Sequence, residues 1–384
     1  MQSSTSPALC EKEVVASLAA HFASLTDKRQ PRGVRYQLTP LLALMVLAKV
    51  CGANNPQEIA KWIEYRAAWL KEALGLSWKR MPHHSTYRRV LQSALDLVEL
   101  EVVAGAYLKA FPQDGCATLN LDGKRLRGTI ARGETGGLHL LALQQPSTNA
   151  VVTQTAVTTT ENEISAAKRL LAKAEIKGKI VSGDAILAQR ELSRQVVQQG
   201  GEYLWKVKAN QKQLLAQSQA YFGGAWLQAG EVDKARSLDK GHGRIEERVL
   251  FSSSRLADRV EWPYLSQVFV IHSDRLELRT EKRSVTQHYG ITSLAPMAAD
   301  ATRLLELTRS HWAIENGLHY RRDVTFKEDA CRMKSHPAAE ALAVFNNLAL
   351  GMIRQAGWEN VAEARRFYAA HIEQALQLIL RAPS

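Results

Sequence analysis

Apolar residues recur at helical spacing over residues 11–25, and again after Thr39, which is placed as an N-cap with Pro40 at the first helical position. Asn55-Pro56-Gln57-Glu58 repeats the device. There Glu58 stands where a capping box would close, ahead of a helix carrying Ile59, Trp62, Ile63 and Trp69. A last helical region follows His83-His84-Ser85 and runs to about Ala110. Residues 1–112 therefore read as a compact all-helical domain.

At Phe111-Pro112-Gln113-Asp114-Gly115 the pattern breaks, and alternation replaces the helical period. Residues 117–121 form a strand ending at Asp122. Strands over 138–143 and 151–157 follow, separated by the turn signal Gln145-Pro146-Ser147-Thr148-Asn149. A helix over 163–174, a short strand over 179–182 ending at Gly183-Asp184, a helix over 187–199 and a strand over 203–207 complete the run. Three strands and then helix–strand–helix–strand is the order of an RNase H-like α/β core with a mixed sheet. Residues from about 212 to 298 begin with a helix and continue into strand-like runs at 248–251, 267–271 and 283–293, a β-rich insertion. From about Ala301 the chain is helical through Trp312 and Glu315, and a helical tail from Ala338 closes a second domain spanning 113–384.

Hydrophobic residues make up 46% of the 384 and charged residues 23%, an ordinary globular composition. Lys and Arg outnumber Asp and Glu by 50 to 38, a net charge of +12, which favours a polyanionic partner such as nucleic acid. Cys10, Cys51, Cys116 and Cys331 form no CxxC pair and no zinc-ligand spacing, so they read as free thiols. The longest apolar run, residues 41–48, is too short to span a bilayer, and residues 1–15 do not read as a signal peptide. A cytoplasmic protein is expected.

Asp122 and Asp184 both fall at the ends of expected strands, each beside small residues, where α/β folds place their chemistry. Glu315 lies on a helix far down the chain. Three such carboxylates meeting in space would suit two divalent ions about 4 Å apart, which activate an attacking oxygen and stabilise the leaving oxygen of a phosphodiester. Taken singly, Asp-Gly also reads as a turn, Gly-Asp-Ala as a helix cap and a helical Glu as a solvated residue.

The surrounding words favour the first reading. Asp122-Gly123-Lys124-Arg125-Leu126-Arg127-Gly128 resembles the DGKxLRG block of the H-repeat-associated transposases, a branch of the DDE insertion-sequence transposases. In the family's order follow Glu161-Asn162-Glu163-Ile164, Gly183-Asp184-Ala185 with Gln189, and the strand from Tyr203 to Lys208-Ala209-Asn210-Gln211. The fifth block is His311-Trp312-Ala313-Ile314-Glu315-Asn316-Gly317-Leu318-His319-Tyr320, which continues into Asp323, Glu328 and Asp329. Gly52-Ala53 and Trp62 are similar to the family's associated N-terminal domain. The resemblance implies an RNase H-like core with a β-rich insertion, DNA as substrate, and Asp122, Asp184 and Glu315 as catalytic carboxylates on two Mg²⁺ ions, with Mn²⁺ able to substitute. Asp323, Glu328 or Asp329 is the alternative to Glu315 as third ligand.

Departures stand at Tyr320, where the family commonly has Trp, and at Pro82-His83-His84-Ser85-Thr86, which lacks an acid. His311 and Arg322 occupy positions that hold Arg and Lys in the wider pattern. Expected DNA contacts are Lys124, Arg125 and Arg127 after the first aspartate, Lys208, Asn210 and Gln211 beyond the last core strand, Arg244 in the insertion, and His311 and Arg322. Asn210 reads equally as a helix cap, and Trp312 as a core residue. The implied reaction is cleavage at element ends and strand transfer into target DNA. The helical domain would grip terminal inverted repeats within a homodimer or larger assembly. The alternatives are an inactive DNA-binding relative and a nuclease that cuts without joining.

Overall fold

The computed structural model describes residues 18–32, 34–111, 117–223, 232–241 and 243–380. The start of the first expected helix, the break at 112–115, Cys10 and Cys116 lie outside them. Cys51 and Cys331 are free thiols.

The N-terminal helices are α1 (Leu18–Ala23), α2 (Leu38–Val50), α3 (Pro56–Glu64), α4 (Ala67–Ala73), α5 (His84–Arg89) and α6 (Leu97–Lys109). Helix α2 begins one residue before Thr39, with Gln37 as its N-cap and no side-chain cap bond. Buried Leu38 already anchors the first turn, and Pro40 is tolerated there because first-turn N–H groups lack helical acceptors. Asn55 caps α3 as expected, accepting from the N–H groups of Gln57 (3.1 Å) and Glu58 (3.0 Å). Glu58 reaches one residue further back than a capping box requires, accepting from the Asn54 N–H at 2.8 Å. The single helix expected from His83 to Ala110 is two. Helix α5 continues as a π-wound turn, Val90–Ala94, and the chain then turns extended at Leu95. Asp96 restarts it, accepting from Val98 N–H and Glu99 N–H to cap α6.

The strands are β1 (Thr118–Arg125), β2 (His139–Gln145), β3 (Ala150–Val157), β4 (Ile180–Gly183), β5 (Glu202–Val207), β6 (Asp233–Gly241), β7 (Arg244–Ser253), β8 (Gln267–Glu277) and β9 (Arg283–Thr292). They form one sheet ordered β3-β2-β1-β4-β5-β9-β8-β7-β6. The pairs β1–β4 and β4–β5 are parallel and the others antiparallel, the mixed RNase H-like arrangement expected. The insertion adds its strands to this sheet by pairing β9 with β5, rather than standing apart. Sequence reading missed β6, a polar edge strand (Asp-Lys-Ala-Arg-Ser-Leu-Asp-Lys-Gly) without the apolar alternation that marks half-buried strands.

Helices α7 (Glu163–Lys173), α8 (Arg190–Gln198) and α9 (Lys212–Gly223) cover one face, burying Leu121, Trp205, Val268 and Ile291. Helix α10 (Ala301–Ala313) covers part of the other, against Leu204, Leu250 and Phe269. The C-terminal helices α11 (His336–Gln355), α12 (Val361–Ala370) and α13 (Ile372–Leu380) share one continuous core with the N-terminal helices. Buried cations stitch that junction: Lys49 Nζ donates to Asn346 Oδ1 at 2.6 Å, and Arg365 Nη2 to Asn54 Oδ1 at 2.9 Å. Among the described residues, no helix is long and apolar enough to cross a membrane.

Candidate active site

Parallel pairing between β1 and β4 ends at Leu121 opposite Gly183. Asp122 and Asp184 are the next residues on the two strands, so the sheet itself sets them side by side. Gly183 permits this packing, since a Cβ there would come within 2.7 Å of the Trp205 ring. Asp122 is not at a strand end, as expected from sequence, because pairing with β2 carries β1 on to Arg125 opposite His139. It stands where the parallel neighbour stops.

The two carboxylates have opposite surroundings. Asp184 faces His311 Nε2 at 3.6 Å and Lys206 Nζ at 2.7 Å. His311 first, then Lys206, against the opposing effect of burial, hold its carboxyl far below the usual range. The imidazole is itself fixed from behind: the Ser182 hydroxyl lies 2.9 Å from His311 Nδ1 and donates to Asn120 Oδ1 at 2.7 Å. Burial lowers the His311 pKa. Asp122 has no such cation. Burial raises its carboxyl to about 7, with the charges of Asp184, Glu163 and Glu315 adding to the shift against one backbone N–H bond from Gly123. His319 Nδ1 lies 3.6 Å away, but burial, aided by Arg322 and Lys124, pushes that imidazole down to about 3, so it is neutral.

Glu163, the first residue of α7, enters from the opposite face. Asn162 caps this helix through the Ser165 N–H. The Glu163 carboxyl lies 3.6 Å from His139 Nε2, and burial and then Asp184 raise its pKa. Gly123 leaves room for the pair, since a Cβ there would press on His139 and come within 3.1 Å of the Glu163 carboxyl. Sequence reading recognised Glu163 only as part of a block; a glycine after the first aspartate was the available hint. Helix α10 continues into π-wound turns, Ile314–His319 and Arg321–Thr325, and Glu315 on the first is exposed. The rivals to Glu315 are engaged elsewhere. Asp323 pairs with Lys124 Nζ (2.6 Å), Glu328 with Arg322 Nε (2.8 Å), and Asp329 accepts the Arg127 N–H (3.0 Å).

A family profile described as a transposase DDE domain matches residues 119–352, and one described as DDE_Tnp_1-associated matches residues 19–108. The chain belongs to the DDE transposase family. It is similar to the H repeat-associated putative transposase YhhI of Escherichia coli K12, at 29% identity over 343 residues, 88% of this chain and 90% of the relative. The putative protein YbfL of the same strain matches at 29% over the same shares. The putative transposase YncI of Escherichia coli O157:H7 is 28% identical over 348 residues, 88% of each chain. The H-repeat-associated branch and the RNase H-like core expected from sequence are both borne out. DNA is the partner the DDE transposase family implies, and divalent ions are its general cofactor.

The donor set of this transposase fits a hard divalent ion: oxygen ligands only, with Asp122 buried beside other acids and lacking a cation of its own. Among the described residues, however, no three His, Cys, Asp or Glu side chains already stand at metal-holding spacing. The expected DNA contacts separate into two groups. Arg125, Arg127 and Lys208 are exposed, and Arg244 is half-buried beside Glu246 at 3.8 Å. Lys124, His311 and Arg322 turn inward. Lys124 is 8% exposed on its Asp323 pair, Arg322 is fully buried, and His311 lies behind Asp184. Asn210 Nδ2 and Gln211 Nε2 donate to the carbonyls of Ala185 (2.6 Å) and Ala188 (2.9 Å), bracing the turn after Asp184. Trp312 is half-buried rather than core, its ring lying 5.8 Å from Lys206 Nζ and 5.4 Å from the Arg248 guanidinium.

Proposed function

We propose that this transposase uses Mg²⁺, or Mn²⁺ in its place, to cleave phosphodiesters at its element's ends and then joins the freed 3′ hydroxyl to target DNA. The observation carrying this reading is the pairing of Asp122 and Asp184 beyond one parallel rung, with Glu163 and Glu315 close enough to raise the Asp122 carboxyl. Asp122, Asp184 and Glu315 would hold the ions, which supply Lewis-acid stabilisation of the attacking and leaving oxygens when bound.

The chain's own residues prepare that arrangement. Lys206 and His311 keep the Asp184 carboxylate ionised in the free protein, the Lys206 ammonium holding the place an ion would take, while Asn210 and Gln211 fix its turn. Asp122, its carboxyl raised to about 7 by burial and neighbouring acids, would give up its proton on taking a cation. Arg125, Arg127 and Lys208 stand exposed to neutralise phosphates, with Arg244 beside them in role. The reading divides the chain into an end-binding part, residues 1–112, and a catalytic part, 113–384, acting as a homodimer or larger assembly on two ends.

The test incubates the purified chain with a duplex carrying the element's end and Mg²⁺ or Mn²⁺. Cleavage followed by joined products is expected, with both lost in Asp122→Asn and Asp184→Asn. Absence of cleavage with either ion refutes the enzyme reading, and cleavage without joining makes the protein a nuclease.

A further inference from the structure

Helix α5 and its π-wound continuation form a ridge without an acidic residue, His84-Ser85-Thr86-Tyr87-Arg88-Arg89-Val90-Leu91-Gln92-Ser93-Ala94. Its inner face is anchored by buried Tyr87, Val90, Leu91 and Ala94. Its outer face presents Arg88, Arg89, Gln92 and Ser93, all exposed. A concavity flanks each side. One, of 460 Å³, is lined by Arg88 and Gln92 together with Arg332 and Lys334. The other, of 680 Å³, is lined by Arg89 and Ser93 together with Arg32 and Arg35. Among the described residues no carboxylate lines either concavity, and these six cations form no ion pair. Exposed, unpaired cations gathered around two concavities raise the local positive potential and attract a polyanion, most strongly at low salt.

The loop carrying Arg332 and Lys334 is fixed to the turn that follows β1. The Arg127 N–H donates to Asp329 Oδ1, and Gly128 packs so closely that a Cβ would come within 2.6 Å of the Cys331 carbonyl oxygen. The ridge and the loop therefore line one concavity, and the loop is tied to the turn that follows the strand bearing Asp122.

We propose that this ridge is the duplex-docking element of the chain. The outer face of α5 enters the major groove, which admits a helix, and the two concavities seat the phosphate backbones on either side. Arg88 and Arg89 face the groove, Arg332 and Lys334 hold the strand nearer the catalytic carboxylates, and Arg32 and Arg35 hold the other. The proposal rests on the DNA-processing reading above and supplies the surface by which DNA is gripped.

The test is fluorescence anisotropy of the full chain with a labelled DNA duplex of about thirty base pairs, three helical turns, in EDTA so that no cleavage enters. Arg88→Glu/Arg89→Glu and Arg332→Glu/Lys334→Glu are each expected to weaken binding about tenfold or more, and the second pair, which faces phosphates, to lower the log–log salt slope by roughly two, near 0.9 per lost phosphate contact. Lys173→Glu/Lys177→Glu, which reverses two exposed lysines elsewhere, leaves binding within about twofold if position rather than net charge matters. Equal weakening by all three variants, unchanged binding in the first two, or tighter binding of single-stranded DNA or duplex RNA each overturns the proposal. A melting curve matched to wild type excludes misfolding, and the milder Arg88→Gln/Arg89→Gln replaces any variant that fails it. Wild-type binding without metal-dependent cleavage counts against the enzymatic reading alone.

Discussion

Asp122 stands beside Asp184 one residue beyond the Leu121–Gly183 rung, yet of the two only Asp184 has a lysine on its carboxylate. One carboxylate is thus fixed and ionised before any cation arrives, while the other carries an unmet electrostatic demand. A divalent ion would answer that demand at Asp122 and would meet Lys206 as a competitor at Asp184.

The asymmetry predicts opposite stability effects for two chemically identical substitutions. In EDTA at pH 8, Asp122→Asn removes a buried charge without a cationic partner and leaves stability unchanged or raised. Asp184→Asn strips Lys206 of its partner and costs about 1.5–3 kcal/mol, the range for a hydrogen bond to a charged group. Chemical denaturation of both variants checks this, and a larger loss in Asp122→Asn contradicts it.

Lys206→Met should tighten divalent-ion binding. The ammonium occupies Asp184 Oδ1 at 2.7 Å, so its removal frees one oxygen and one negative charge for the metal. Calorimetric titration with Mn²⁺ is expected to give a Kd several-fold lower than wild type. An unchanged or weaker Kd means that Lys206 helps assemble the ion site rather than competing for it.

The Arg322–Glu328 pair is structural. Both side chains are buried, the salt bridge is 2.8 Å long, and Asn346 Nδ2 donates to the second carboxylate oxygen at 2.8 Å. Glu328→Ala leaves an uncompensated buried guanidinium and is expected to lose about 3–5 kcal/mol in urea denaturation. A loss below about 1 kcal/mol, the surface-pair range, shows instead that Arg322 reaches solvent.

These residues mark what the sequence could convey. Strand alternation and block order located Asp122 and Asp184, because periodicity and neighbouring glycines are local signals. The extension of β1 past Asp122 depends on antiparallel pairing with β2, a contact between segments that no local pattern records. Arg322 read as a surface cation for the same reason: its burial is decided by Glu328 and by the core around it. Glu163 and His319 reach the site only through the packing of α7 and the π-wound turns after α10. Lys206 was legible only as part of the strand over 203–207, and its pairing with Asp184 was not legible at all.

Lys49 offers a pH test of the junction between the N- and C-terminal helices. It is fully buried, and burial first, then the Arg365 charge, lowers its pKa from 10.5 to about 7. Asn346 Oδ1 accepts from its nitrogen whether the amine is charged or neutral, so the native state tolerates deprotonation. The unfolded chain keeps the proton up to about pH 10.4, the ordinary lysine value. Between pH 7 and that value the unfolded state therefore binds up to one proton more, and stability rises with pH. The cost of burying the charged form is fully present below pH 7 and is relieved as pH rises. Across pH 7–9 wild type should gain stability relative to Lys49→Met by up to about 1.4 kcal/mol per pH unit, the value of one proton. Parallel denaturant-midpoint profiles for the two proteins over this range would instead mean that Lys49 keeps an ordinary pKa, and hence that water or an anion reaches the junction.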